Sequence, residues 1–322
     1  MTKQNSDNLQ LNAAGKLKHL LSLHGLDKEF ITRLLDNAEN YLRPKGSLPA
    51  RDYGLQGQTV ANLFFEPSTR TRASFELAAK RMSADVLNLD VNMSSRIKGE
   101  SILDTIFTLQ AMQVDVFVVR DAGDGIPEFI ARNVDTHASV LNAGEASVSH
   151  PTQGLLDMLT IRQAKGRLDG LSVTIIGDIA HSRVARSLSH GLRIMGNNDI
   201  RLVAPGGMAP DMALYPGASL YEDADTAVKD ADVLVALRIQ RERIEDPSGI
   251  PTEAEYNQRY GLTVDRVALA KPDAIVMHPG PMNRDVEISG EVADGPQSVV
   301  RQQVTNGLAV RMAVLSAVME SR

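Results

Sequence analysis

Eight short apolar runs, most of them separated by stretches long enough for a helix, recur along the chain, and this alternation limits the folds open to it. Strands that alternate with helices build parallel sheets covered by helices, whereas an all-helical bundle or an all-β sandwich lacks one of the two patterns. The runs cover residues 59–65, 85–89, 114–120 and 139–142, then 172–177, 200–204, 233–237 and 274–277. Four fall on each side of a segment near residue 160, so the spacing predicts the α/β class with two domains, each a mainly parallel sheet flanked by helices. The length of 322 residues agrees, at roughly 150 residues per domain. The expected division is 1–150 for the first domain, 151–165 for a helix crossing between domains and 166–300 for the second, with a closing helix 301–322 returning to the first.

Apolar residues at Leu20, Leu21, Leu26, Phe30, Ile31, Leu34 and Leu35 predict helix over 17–41, broken near Gly25. Val304, Leu308, Met312, Leu315 and Met319 predict a single apolar stripe on the closing helix. Gly206, Gly207, Pro210, Pro216 and Gly217 mark a loop-rich stretch.

Composition excludes several function classes. With no cysteine, a disulfide framework, a thiolate metal site and a cysteine nucleophile are all impossible. A net charge of -6 argues against a nucleic-acid binder, so any anionic ligand needs a local cluster of donors. No run reaches the roughly 18 uncharged apolar residues of a membrane span, and the polar start lacks a signal-peptide core. A cytoplasmic enzyme or binding protein is expected.

Ligands of open α/β sheets bind beyond the carboxyl ends of the strands, and the polar clusters of this chain fall there. After the first run come Glu66, Pro67, Ser68, Thr69, Arg70, Thr71 and Arg72. Pro67 suits the first position of a helix. Residues 68–71 then present hydroxyls, backbone N–H groups and a guanidinium at its positive end, which together make a phosphate site or, more blandly, an ordinary cap followed by surface arginines. Ser94, Ser95, Arg96 and Lys98 form a basic loop that either reaches over an anion or is simply solvated. Arg120 ends a buried run, either at a ligand or emerging into water. His150 precedes Pro151, Thr152 and Gln153 at a helix start; a histidine there has its pKa pushed down and can donate from a neutral ring, or it merely caps the helix. In the second half Gly177 and Asp178 follow a strand without GxGxxG, so no dinucleotide site is expected. Planar guanidinium forks at Arg183 and Arg238 are candidates to clamp a dicarboxylate. His278, Pro279, Gly280 and Pro281 follow the last strand, where two prolines fix a loop whose carbonyls can face a ligand.

Taken together, FFEPSTRTRASFE, HPTQGLLDMLTI, GDIAHSRVARS, LRIQRER and MHPGPMNRDVEI resemble the catalytic chains of the aspartate carbamoyltransferases, from about residue 17 to the end. The STRT and HPTQ motifs are shared with ornithine carbamoyltransferases. Those typically carry HCLP near the last strand, where this chain has HPGP and no cysteine. The resemblance implies carbamoyl phosphate and L-aspartate as ligands, with neither metal nor organic cofactor. It also implies roles: Ser68, Thr69, Arg70 and Thr71 on the phosphate, and Arg120 bridging phosphate and carbonyl. Thr71, Arg120 and His150 would act on the carbonyl oxygen, Gln153 on the carbamoyl nitrogen, and Arg183, Arg238 and Gln240 on the aspartate carboxylates. The backbone of Pro279 and Gly280 would complete the carbamoyl pocket. Glu66 would meet Arg183 and Arg243, and a neighbouring subunit would lend Ser94 and Lys98 in a homotrimer with shared sites. A larger assembly with a regulatory or dihydroorotase-like chain is left open. Val184 departs from a Thr that contacts substrate in some members. The implied activity is carbamoyl transfer to L-aspartate in pyrimidine synthesis; the alternatives are another amino acid such as ornithine, or a silent phosphate-ligand-binding homologue.

Overall fold

The computed structural model describes residues 9–44, 46–47, 51–89, 101–244 and 250–322. The chain divides into two compact units, Met1–Thr152 with Asn306–Arg322, and Gln153–Thr305. In chain order the first holds α1 (Lys28–Asn40), β1 (Thr59–Phe64), α2 (Thr69–Arg81), β2 (Asp85–Leu89), α3 (Ile102–Ala111), β3 (Val116–Asp121), α4 (Ile126–Asn133) and β4 (Ser139–Glu145). Its sheet is wholly parallel, in the order β2-β1-β3-β4. The central strands β1 and β3 are buried along almost all their length, which is why they read as continuous apolar runs rather than alternating ones. Phe117, inaccessible in β3, is part of the core with Leu63, Ile106, Ile130 and Val140. Truncating such a side chain to Ala costs about 3 to 5 kcal/mol.

Helix is absent from the first part of 17–41. Asp27 opens α1 by accepting the Phe30 N–H at 2.7 Å, and among the described residues none before it is helical. Leu17, Leu20, Leu23 and Leu26 are nonetheless buried, because this segment lies along the outer edge of β4. Leu20 donates to the Val140 carbonyl at 2.9 Å and accepts from the Asn142 N–H at 2.8 Å. Val140 in turn donates to Nδ1 of His19 at 3.0 Å. Leucines three apart therefore served an edge cover, not a helix.

From the first unit, α5 (Pro151–Lys165) leads to β5 (Ser172–Ile176), α6 (Arg183–Ile194), β6 (Asp199–Val203), β7 (Ala218–Tyr221), α7 (Ala224–Val228), β8 (Val233–Ala236), α8 (Glu253–Tyr260), α9 (Val264–Val267), β9 (Ile275–Met277), α10 (Gly290–Ala293) and α11 (Val300–Met319). This second parallel sheet has five strands, in the order β7-β6-β5-β8-β9. The fifth, β7, has no apolar run to announce it, because as an edge strand it is largely solvated. The loop-rich stretch before it is partly ordered as short turns at Gly206–Met208 and Met212–Leu214. On α11 the single stripe fails: Val304 is 66% exposed, while residues 309–315 are buried on every side. Among the described residues, no helix is long and apolar enough to cross a membrane.

Candidate active site

Each sheet has one switch point, where successive connections leave in opposite directions and the loops part. In the first it lies between β1 and β3, in the second between β5 and β8. Glu66 to Thr71 follow β1 and Arg120 lies near the end of β3; Asp178 to Arg183 follow β5, and Arg238 to Arg243 follow β8. The polar clusters thus sit at the two crevices the topology opens.

In the first unit, Phe64 is in register with Arg120, and the Phe65 N–H bonds to the Arg120 carbonyl at 2.8 Å. The chain therefore leaves β1 beside Arg120. Pro67 is not the first helical residue, since Ser68 is the extended N-cap of α2 (φ -161°, ψ 97°), and the Arg72 N–H is the first to reach back, to the Ser68 carbonyl at 3.1 Å. The Ser68 side chain makes no capping bond, so its hydroxyl is left for another acceptor or donor beside the first-turn N–H groups. Arg120 does not emerge into water. It is buried, donating from Nη1 to the Ala143 carbonyl at 3.3 Å, with Nη2 3.3 Å from Glu66 Oε2. Thr71 and His150 are buried too, His150 directly before the opening of α5. A guanidinium, a hydroxyl and an imidazole kept largely from water interact more strongly with developing charge than they would in solvent. Ser94 and Lys98 lie outside the described residues.

In the second unit Gly177 has φ +138°, and a Cβ there would lie 2.4 Å from the Leu237 carbonyl oxygen. The glycine is required by the close approach of the chain leaving β5 to the chain leaving β8. Next to it, the fully buried Asp178 accepts from Nδ1 of His181 at 2.7 Å and from the Gln240 N–H at 3.0 Å. The His181 carbonyl then receives Gln240 Nε2 at 2.8 Å and Arg243 Nη1 at 3.2 Å. Two loops some sixty residues apart are thereby tied together, placing Gln240 and Arg243 around His181. Arg183 opens α6, capped by Ser182, and is buried. Arg238 grips Glu242 fork to fork, Nη1 to Oε2 at 3.1 Å and Nη2 to Oε1. Their hydrogen bond holds the Glu242 carboxyl below the usual carboxylate range and raises the Arg238 guanidinium. The Nε edge of Arg238 bonds to none of the described residues.

The loop carrying Pro279 and Gly280 is shaped by two buried side chains. The Gly280 N–H donates to Nδ1 of His278 at 2.8 Å, so the ring proton is on Nε2, which donates to Glu287 Oε1 at 3.0 Å. The same oxygen accepts the Asn283 N–H at 2.6 Å. Gln153, on α5, donates its amide to Asp157 Oδ1 at 3.0 Å. The sequence motifs mark the arginines but not Asp157, His181, Glu242 or Glu287, and they mark Asp178 only as a weak nucleotide signal. The i, i+3 and i, i+4 spacings of Asp178 with His181, Gln153 with Asp157 and Arg238 with Glu242 were the available local signal.

Residues 18–163 match the family model of the aspartate/ornithine carbamoyltransferase carbamoyl-P binding domain, and residues 169–318 that of the Asp/Orn binding domain. Among solved structures, the aspartate transcarbamoylase from Trypanosoma cruzi in complex with N-(phosphonacetyl)-L-aspartic acid is 32% identical, with TM-score 0.84, over 96% of this chain and 98% of that one. The same enzyme in complex with carbamoyl phosphate is 31% identical, with TM-score 0.85, over 96% and 98%. The ornithine carbamoyltransferase from Thermus thermophilus is 28% identical, with TM-score 0.81, over 94% and 99%.

Proposed function

Because this chain belongs to the aspartate/ornithine carbamoyltransferase family of transferases, we propose that it carries the carbamoyl group of carbamoyl phosphate to the amine of L-aspartate, giving N-carbamoyl-L-aspartate and phosphate. The observation that carries the choice of acceptor is the second-unit loop set. Arg238 binds a carboxylate fork to fork within its own chain, and the loop after β9 reads HPGP where the ornithine enzymes typically carry HCLP. A guanidinium fork suits a second carboxylate, not the ammonium of ornithine.

In this reading residues 1–150 form the carbamoyl phosphate domain, with residues 301–322 returning to it, and 166–300 the aspartate domain. Ser68, Thr69, Arg70 and Thr71 hold the phosphate. Arg183, Arg238 and Gln240 take the aspartate carboxylates, and Gln153 with the backbone of Pro279 and Gly280 takes the carbamoyl group. The neutral amine attacks the carbamoyl carbon. Arg120, Thr71 and His150 stabilise the oxygen as it becomes negative, a contribution worth about 3 to 4 kcal/mol for one such donor. The C–O bond to phosphate then breaks, and a phosphate oxygen accepts the amine proton, so no side-chain base is required. Holding the two reactants in line supplies much of the remaining acceleration. The chain works as a cytoplasmic homotrimer in pyrimidine synthesis, each site borrowing Ser94 and Lys98 from a neighbour.

An acceptor screen decides the substrate. Purified protein with carbamoyl phosphate is expected to release phosphate with L-aspartate and not with L-ornithine; the reverse pattern replaces this reading with the ornithine one, and no release with any amine leaves the silent homologue. Mixing inactive Lys98→Ala and Arg70→Ala proteins is expected to restore activity. No recovery after verified subunit exchange defeats the shared site.

A further inference from the structure

A buried chain of side chains in the second unit bears on how the carbamoyl group is read. Asp157 is 1% exposed, and its Oδ1 accepts two amides, Gln153 Nε2 at 3.0 Å and Gln303 Nε2 at 2.8 Å. A carboxylate only accepts. It therefore decides which end of each amide faces it: the NH2 of Gln153 turns inward and its carbonyl oxygen outward. Among the described residues none donates to that oxygen. Gln303 is fixed at both ends, since its Oε1 takes the His278 N–H at 2.9 Å. From His278 the chain continues through Nδ1 to the Gly280 N–H and through Nε2 to Glu287, so one carboxylate on α5 anchors both Gln153 and the loop 278–280.

We propose that Asp157 is a positioning residue that sets the polarity of the Gln153 amide, making it an acceptor for an NH2 group, and that through Gln303 it holds the Pro279–Gly280 backbone in place. This rests on the reading of Gln153 as the partner of the carbamoyl nitrogen. Asp157 reaches the substrate only through other groups. Replaced by Asn, it can present its own NH2, and the Gln153 amide is free to turn over and oppose donor to donor. The consequence is a loss of discrimination between carbamoyl phosphate and an acyl phosphate that has a methyl in place of NH2, not a uniform loss of activity.

The test compares kcat/KM for carbamoyl phosphate and acetyl phosphate, with L-aspartate as acceptor, in the wild type and Asp157→Asn, after a thermal melt shows that the variant is folded. The wild type is expected to prefer carbamoyl phosphate, and Asp157→Asn to lower that preference by roughly ten- to a hundredfold, the range of one lost hydrogen bond with an unpaired donor. An equal fall for both donors, or none, overturns the proposal. Gln303→Met gives a second arm that stands if Asp157→Asn does not fold. It leaves the Gln153–Asp157 bond in place, so the preference is expected to persist while turnover with both donors falls; a lost preference, or unchanged turnover, overturns the relay. Wild-type protein with no transfer from either donor to L-aspartate refutes the parent reading instead, and is told apart from these outcomes before any variant is made.

Discussion

The polar clusters beyond the two sheets are assembled by different means. Beyond β1 the donors are local: a cap, a first helical turn and one buried arginine, set within the span 66–71 plus Arg120. Beyond β5 and β8 the loops are laced to one another by Asp178 and His181, and beyond β9 by His278 and Glu287. A tetrahedral anion can be met by a helix terminus, whose amides point the same way by construction. On the proposed function, a flexible dicarboxylate would need guanidinium forks held at a fixed spacing, and the ties between the loops after β5 and β8 supply such a framework.

The sharpest way to break this contrast is Arg120→Ala, expected to lower kcat by 10² to 10³ while circular dichroism stays unchanged. An unaffected rate would remove the buried arginine from the chemistry.

Next in size is an acid effect confined to the first unit. Burial lowers the His19 pKa from 6.5 to about 4, and the neutral Nδ1 accepts from Val140. The unfolded chain binds this proton more readily, so the contribution is whole above pH 6.5 and is lost as pH falls towards 4, a total on the order of 3 kcal/mol. Urea unfolding across that range is expected to show it, and His19→Asn, which can still accept but does not titrate, to flatten it. A slope retained in His19→Asn would place the acid sensitivity elsewhere.

Asp178→Ala strips a buried acceptor from Gln240 and His181, and is expected to cost about 2 to 3 kcal/mol of stability. Initial rates should show KM for the amine acceptor rising more than KM for carbamoyl phosphate. An equal rise would mean that the ties are structural only.

The smallest effect belongs to Glu242→Gln. The pair is partly solvated, so stability is expected to move by under about 1 kcal/mol. Because Glu242 occupies the Nη1–Nη2 edge of Arg238 and leaves Nε, its loss should loosen the fork and raise the acceptor KM a few-fold with kcat kept. A lower KM would show that Glu242 competes with the ligand.

Much of the candidate site's placement was legible before folding, because strand ends and helix starts carry local signals: hydroxyls and arginine after residue 65, and arginines after 182 and 237. Less legible were groups whose meaning depends on a partner far along the chain. Asp157 reads as one more polar helical residue until Gln303 folds against it, and Leu17 to Leu26 read as helix until the edge of β4 is present to pair with them.

By itself the sequence determined two parallel α/β units, the positions of every described strand but β7 and the residue types gathered near the strand ends. These follow from periodicity and from backbone groups that need caps, which are properties of neighbours in the chain. Tertiary structure alone decided that β1 lies beside β3 and β5 beside β8, that Arg120 is buried rather than solvated, and that Asp178 and Asp157 each join segments remote in sequence. Strand order and buried hydrogen bonds are chosen by the free energy of the whole packed unit, which no local stretch of the chain contains.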